Sequence, residues 1–135
     1  MRAGASTREK SMTEELLGKR VLVLEDEPLI AMALVDILEE AGCTVIGPAH
    51  DSDQAAKLIA ESSIDVAVLD VNLGSGRTSA AIADCLKSVG TPFIFATGYG
   101  EMGLRNADRD QLRVDKPYCA PTILATVVAA LRTTA

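Results

Sequence analysis

Val21-Leu22-Val23-Leu24-Glu25-Asp26-Glu27-Pro28 is the stretch that decides the fold of this chain. Four apolar residues run without a polar interruption and stop on three carboxylates. A strand with one wet face alternates apolar and polar residues. One that is apolar at every position suits burial on both faces, as in a parallel sheet covered by helices. Pro28 fits the first turn of a helix, where the missing N–H leaves no bond unmade. Working outward, residues 29–41 are helix-like, with Leu29, Met32, Ala33, Val35, Ile37 and Leu38 in a broad apolar stripe. Gly42 stands where a helix stops. Residues 43–46 read as a second strand, broken by Gly47-Pro48.

The unit then repeats. Asp51 or Ser52 can cap a helix to about Ser62, with Ala55, Ala56, Leu58 and Ile59 inward. Residues 64–69 form a strand ending at Asp70, and residues 71–77 a loop holding Gly74 and Gly76. Thr78 can cap a helix to about Val89, closed by Gly90. Residues 92–96 are a strand with Pro at its permitted first position. A glycine-rich loop follows over 97–103, and any helix over 104–110 is short. A brief strand at 112–114, Lys116-Pro117 and an apolar helix over 121–132 complete the pattern. Strands alternating with helices predict an α/β fold with a parallel sheet. Five strands suggest the flavodoxin-like doubly wound sheet, order 2-1-3-4-5, with helices on both faces and a short or mobile fourth helix. The outer face of the last helix, with Thr126, Val127 and Ala130, is expected to be available to a partner.

The chain has 135 residues, the size of one domain. With 48% apolar and 24% charged residues, it has the material for a core and is not a disordered chain. Thirteen basic against nineteen acidic residues give a net charge of −6, a field that repels phosphate backbones and argues against a nucleic-acid partner. Cys43, Cys85 and Cys119 are odd in number and widely spaced, and His50 is the lone histidine, which speaks for free thiols and against zinc. No apolar run has the length of a membrane span, and the polar residues 1–18 lack the apolar centre of a signal peptide. The expected organisation is a flexible tail over 1–18, with room for one short helical turn at Glu14–Leu17, and one domain over 19–135, in the cytoplasm.

In such sheets, ligands bind beyond the carboxyl ends of the strands, where the strand order reverses. Strand one delivers Glu25, Asp26 and Glu27 there, strand three Asp70, strand four Thr97, and the last strand Lys116. Strands one and three are neighbours in this order, so Asp26 and Asp70 should face each other with Glu25 nearby. Crowded carboxylates repel unless something compensates. A hard divalent cation such as Mg2+, with oxygen ligands, is the natural compensation. A carboxylate can act as nucleophile and form an aspartyl phosphate, while a metal and a lysine stabilise the transferring oxygens. Each residue alone is commonplace: an acid favoured at a helix start, a turn threonine, a surface lysine. Four of them, each ending a strand of one sheet, are not. Gly74-Ser75-Gly76-Arg77 lacks the spacing of a phosphate loop and reads as a turn.

From about Arg20 to Leu131 the chain resembles a receiver domain of bacterial two-component response regulators. Residues 21–27 resemble the first strand and its acidic pair, Val66-Ala67-Val68-Leu69-Asp70 the phosphoacceptor strand, Thr97-Gly98 the hydroxyl switch residue and its small neighbour, and Lys116-Pro117 the Lys-Pro pair, whose peptide bond is usually cis. The strand order belongs to that likeness as well. The resemblance implies that Asp70 accepts a phosphoryl group from a histidine kinase or phosphotransfer protein. It implies that Glu25, Asp26 and Asp70 bind Mg2+ with the backbone carbonyl of Asn72, and that Lys116 and Thr97 assist. It also implies a stand-alone module that catalyses only its own phosphorylation and dephosphorylation and signals to a downstream protein or passes phosphate on. Homodimerisation stays open. Phe95-Ala96-Thr97-Gly98 is similar to the signature of a single-domain subgroup that works with HWE-type kinases, often in alphaproteobacterial stress signalling.

One position departs from the family. Where receivers carry Tyr or Phe, three residues before the lysine, this chain has Arg113, with Tyr99 or Tyr118 as candidate replacements. Three alternatives stand beside the leading reading. One is a pseudo-receiver that binds partners without phosphate, and another a receiver excised from a hybrid kinase. The third is an aspartate-nucleophile phosphatase, disfavoured because Asn72 stands where a second acid would be needed.

Overall fold

In the computed structural model, the described residues are 11–98, 104–117 and 119–133. They form one five-stranded parallel sheet with helices on both faces. The elements are α1 (Met12–Leu16), β1 (Arg20–Leu24), α2 (Pro28–Glu40), β2 (Thr44–Ala49), α3 (Ser52–Glu61), β3 (Val66–Asp70), α4 (Ala80–Val89), β4 (Phe93–Thr97), a 3-10 turn (Asn106–Asp108), β5 (Arg113–Asp115) and α5 (Ala120–Arg132). The strand order is β2-β1-β3-β4-β5, the doubly wound order expected from the sequence.

Uninterrupted apolar runs become central strands because each has two apolar faces to cover. Every residue of β3 and β4 is buried, as are Val21–Leu24 of β1. Alternate side chains feed two cores. Val21, Val23, Val66, Val68, Ile94 and Ala96 pack with Leu34, Leu38, Ile123 and Val127 beneath α2 and α5. Leu22, Leu24, Ala67, Leu69, Phe93 and Phe95 pack with Ala55, Ile82, Ala83 and Leu86 beneath α3 and α4. Phe93 and Phe95 meet edge to face, 5.4 Å between centroids. Register aligns the carboxyl ends: Leu24 pairs with Leu69, Asp70 with Ala96, and Thr97 with Asp115. The residue after Leu24 therefore arrives beside the last residue of β3.

Several details differ from the sequence reading. β2 runs on through Pro48 to Ala49, with an irregularity in its pairing to β1 between Leu22 and Leu24. An edge strand tolerates a proline because its outer N–H needs no partner, and Gly47, at φ +106, takes the turn that a side chain would obstruct. The Gly47-Pro48 and Lys116-Pro117 peptide bonds are both cis. Within the span 1–18, where a tail with one short helical turn at Glu14–Leu17 was expected, the helix starts earlier: Ser11 opens α1 with a reciprocal capping box to Glu14, and Leu16 is fully buried in the α2–α5 core. Arg132 of α5 donates to both oxygens of Glu15. The partner face expected on α5 is also corrected: Val127 and Ala130 are core residues, and Thr126 donates its hydroxyl to the Thr122 carbonyl. Between β4 and β5 the described residues hold only the 3-10 turn where the fourth helix was expected to be short.

Candidate functional site

The carboxyl ends of β1, β3 and β4 and the residue after β5 meet in a cleft of about 310 Å3 lined by Asp26, Glu27, Asp70, Asn72, Gly74, Gly98 and Lys116. Carboxylate oxygens of Glu25, Asp26 and Asp70 lie within 4.8 Å of one another. Lys116 faces them. Its ammonium donates to Glu25 Oε1 at 2.9 Å and lies 3.2 Å from Asp70 Oδ2. The backbone holds these groups in place. Glu25 N–H donates to the Ala49 carbonyl and Lys116 N–H to the Thr97 carbonyl. Glu27 N–H donates to Glu25 Oε2 at 3.1 Å, and His50 Nδ1 lies 3.0 Å from the Glu25 carbonyl oxygen.

The predicted residues are brought together in unequal roles. Asp26 and Asp70 face the cleft, and Asn72 lines it from the loop after β3. Glu25 is wholly buried beneath it, engaged by Lys116. Thr97 is buried at the end of β4 and is not part of the lining. Two lining residues had been named from sequence without a role in the site. Glu27 is exposed beside Asp26, and Gly74 approaches so closely that a Cβ there would lie 3.2 Å from Asp26 Oδ2. The φ of +82 at Gly74 and the tight loop, in which Asn72 bridges to Thr78, explain why glycine stands there. Gly74 carried that signal in its position, four residues after Asp70. Arg113 lies on β5, half-buried, and its guanidinium donates to the Arg109 carbonyl. Tyr99 and Tyr118 fall outside the described residues.

The electrostatics follow from crowding. Burial, then the hydrogen bond and charge of Glu25, then Asp26 push the Asp70 carboxyl up to about 8, with only Lys116 opposing. Burial works against the charge of Lys116, but the hydrogen bond to Glu25 and the charge of Asp70 outweigh it and hold its pKa above the usual lysine value. Three carboxylates crowd against one ammonium, an arrangement that a divalent cation would balance. The donor set is all oxygen, as a hard cation such as Mg2+ requires.

The sequence model of the response regulator receiver domain matches residues 21–112. The chain belongs to that family. Among curated proteins, the receiver is 34% identical over 118 residues to the phyllosphere-induced regulator PhyR of Methylorubrum extorquens, a match covering 85% of this chain and 44% of that protein. The chain thus spans less than half the length of that relative. Among solved structures, SdrG from Sphingomonas melonis Fr1 is 36% identical with a TM-score of 0.75, covering 87% of the receiver and 98% of that chain. A PhyR from Bartonella quintana, described as an anti-anti-sigma factor, is 26% identical with a TM-score of 0.79, covering 93% and 53%. Receivers are signalling modules, and the acidic cluster at Glu25, Asp26 and Asp70 lies where a family member's cation site would be. No helix among the described residues is long and apolar enough to cross a membrane.

Proposed function

We propose that the receiver takes a phosphoryl group from a phosphohistidine onto Asp70 and signals by the protein contacts that follow. The observation that carries this reading is the position of Asp70: it opens on the cleft, beside two further carboxylates and within 3.2 Å of the Lys116 ammonium. In the reaction, an Asp70 carboxylate oxygen attacks phosphorus, the donor's P–N bond breaks, and an acyl phosphate forms as the imidazole leaves with a proton. Lys116 holds positive charge against the transferring oxygens. Asp26, Asp70 and the Asn72 backbone carbonyl, with Glu25 behind them, would hold Mg2+. That ion would neutralise the carboxylates, leaving Asp70 ionised and nucleophilic at neutral pH. Gly98 leaves the approach open beside the Lys116 side chain.

The surroundings suit a helical donor. An apolar groove of about 480 Å3 adjoins the cleft, lined by Leu29, Ile30, Ala33, Ile37, Lys116 and Pro117. Lys116 lines both. Leu29 is 81% exposed and Met32 60%, an apolar surface that a partner helix would cover. The net charge of −6 and a relative described as an anti-anti-sigma factor favour a protein as the downstream partner, in the cytoplasm.

Intact mass after incubation with Mg2+ and acetyl phosphate tests the reading. The receiver should gain one phosphoryl group, and Asp70→Ala or omission of Mg2+ should abolish the gain. Labelling retained in Asp70→Ala would overturn it.

A further inference from the structure

A second cluster of charge stands away from the cleft. Asp108, on the 3-10 turn, is 2% exposed. Both its carboxylate oxygens are engaged: Lys87 Nζ donates to Oδ1 at 2.7 Å and Arg105 Nε to Oδ2 at 2.8 Å. Arg105 reaches on to Asp84, its Nη1 and Nη2 donating to the two oxygens at 3.1 and 2.8 Å. Lys87 also donates to the Ala107 carbonyl at 3.3 Å. Asp84 and Lys87 belong to α4, while Arg105 and Asp108 belong to the crossover between β4 and β5. The four side chains form one chain of alternating sign across the two elements.

Among the described residues of the crossover, Arg105 Nη2 also donates to the Ala80 carbonyl at 3.5 Å and the Leu112 carbonyl accepts from the Phe95 N–H. Over 104–112, Asp108 is the only buried residue, Leu104 packs partly against the α3–α4 core, and Leu112 is exposed. The attachment is made by charge rather than by apolar burial. Such contacts demand exact partners, yet their net energy is small because desolvation offsets the Coulomb gain. That combination suits a contact that opens. The crossover is also tied to the cleft at both ends. It follows Thr97 and Gly98, it leads through β5 to Lys116, and Lys116 N–H donates to the Thr97 carbonyl.

We propose that Lys87–Asp108–Arg105–Asp84 is an electrostatic latch. It holds the 104–112 crossover on α4 while Asp70 is unmodified and releases it when Asp70 carries a phosphoryl group. The trigger rests on the reading of Asp70 given above. A phosphoryl group places about two negative charges beside Lys116 and the end of β4. The pull on both ends of the crossover differs between the latched and released states, as any shift between two states requires.

Amide hydrogen exchange on the full chain tests the latch, with intact mass reporting on Asp70. Asp108→Asn should speed exchange over 104–112 by about tenfold or more, with β1 and β3 unchanged, because two cations lose their buried counter-charge. Asp84→Asn, at an exposed position, should give about a two- to threefold change, and molar salt a similar one. If Asp108→Asn does not fold, Asp84→Asn carries the test. Wild-type protein phosphorylated by acetyl phosphate and Mg2+ should reproduce the Asp108→Asn pattern, and that variant should gain nothing more over 104–112 on phosphorylation. Phosphoryl uptake with unchanged exchange over 104–112 overturns the latch and leaves Asp70 in place. No uptake in the wild type overturns the reading of Asp70 and the trigger with it. Unchanged exchange over 104–112 in the variants overturns the latch itself.

Discussion

Asp70 and Asp108 are the same side chain at nearly the same depth, 4% and 2% exposed. Their carboxyls are nonetheless driven in opposite directions. Burial pushes both up. At Asp70, Glu25 and Asp26 add to the push and only Lys116 resists, so the carboxyl rises to about 8. At Asp108, hydrogen bonds from Arg105 and Lys87 overcome burial and hold it below the usual carboxylate range. Depth sets the stakes of a buried charge, and the company it keeps sets the sign. A like-charged cluster with one cation is of the kind that could hold a metal ion. A cluster with acids and bases in equal number is complete and holds structure.

The sharpest way to break this comparison is chemical. Asp70→Asn should take up no phosphoryl group from acetyl phosphate and Mg2+, whereas Asp108→Asn should be labelled like the wild type, since it touches no residue of the cleft. Mass spectrometry of both variants decides the point, and loss of labelling in Asp108→Asn would tie the second cluster to the chemistry directly.

Stability should separate the pair next, with opposite signs. Without divalent cations at neutral pH, Asp108→Asn leaves Lys87 and Arg105 without their buried counter-charge and should cost about 2–4 kcal/mol. Asp70→Asn relieves repulsion and should gain roughly 1–3 kcal/mol. Urea unfolding measures both. A loss of stability in Asp70→Asn would mean that Lys116 satisfies the cluster better than the crowding suggests.

How much of this was legible beforehand follows the same physics. The central strands could be read because burial on two faces leaves an apolar residue at every position. Asp26 and Asp70 could be read because each directly ends such a run or follows it closely, and Lys116 because a proline follows it at the end of a brief last strand. The Lys87–Asp108 contact spans 21 residues and joins a helix to an irregular crossover, so no local period announces it. Helix α1 has only five residues and one buried anchor, Leu16, too little for an apolar stripe, although Ser11 and Glu14 carry the capping-box spacing. On α5 the apolar residues run nearly all round, so the sequence could not say that Val127 and Ala130 face inward.

A pH titration sharpens the contrast further. The Asp70 pKa is raised on folding, so between the ordinary carboxyl value of about 4 and about 8 the folded chain binds more protons than the unfolded one. Metal-free stability should therefore fall as pH rises through that window and level off above it. The Asp108 pKa is lowered, so its contribution is present above the ordinary carboxyl range and lost as acid protonates it. Asp70→Asn should flatten the loss on the alkaline side, and Asp108→Asn the loss on the acid side. Denaturation midpoints across the pH range, in chelator, report both. A profile unchanged by Asp70→Asn would refute the crowding argument.

The smallest expected effect comes from one carbon atom. Gly74 and Gly76 both sit at positive φ, +82 and +76, so alanine at either position should cost about 1 kcal/mol in backbone strain. A Cβ at Gly74 would lie 3.2 Å from Asp26 Oδ2, while a Cβ at Gly76 would meet nothing within 4 Å. The two variants therefore share the strain and differ only in the contact with Asp26. Gly74→Ala should weaken Mg2+ binding by about three- to tenfold by displacing one ligand carboxylate, and Gly76→Ala should leave it unchanged. Titration calorimetry with Mg2+ on the two variants isolates that difference. Equal affinities would show that Asp26 moves aside without loss, and that the loop after β3 shapes the cleft without setting its affinity.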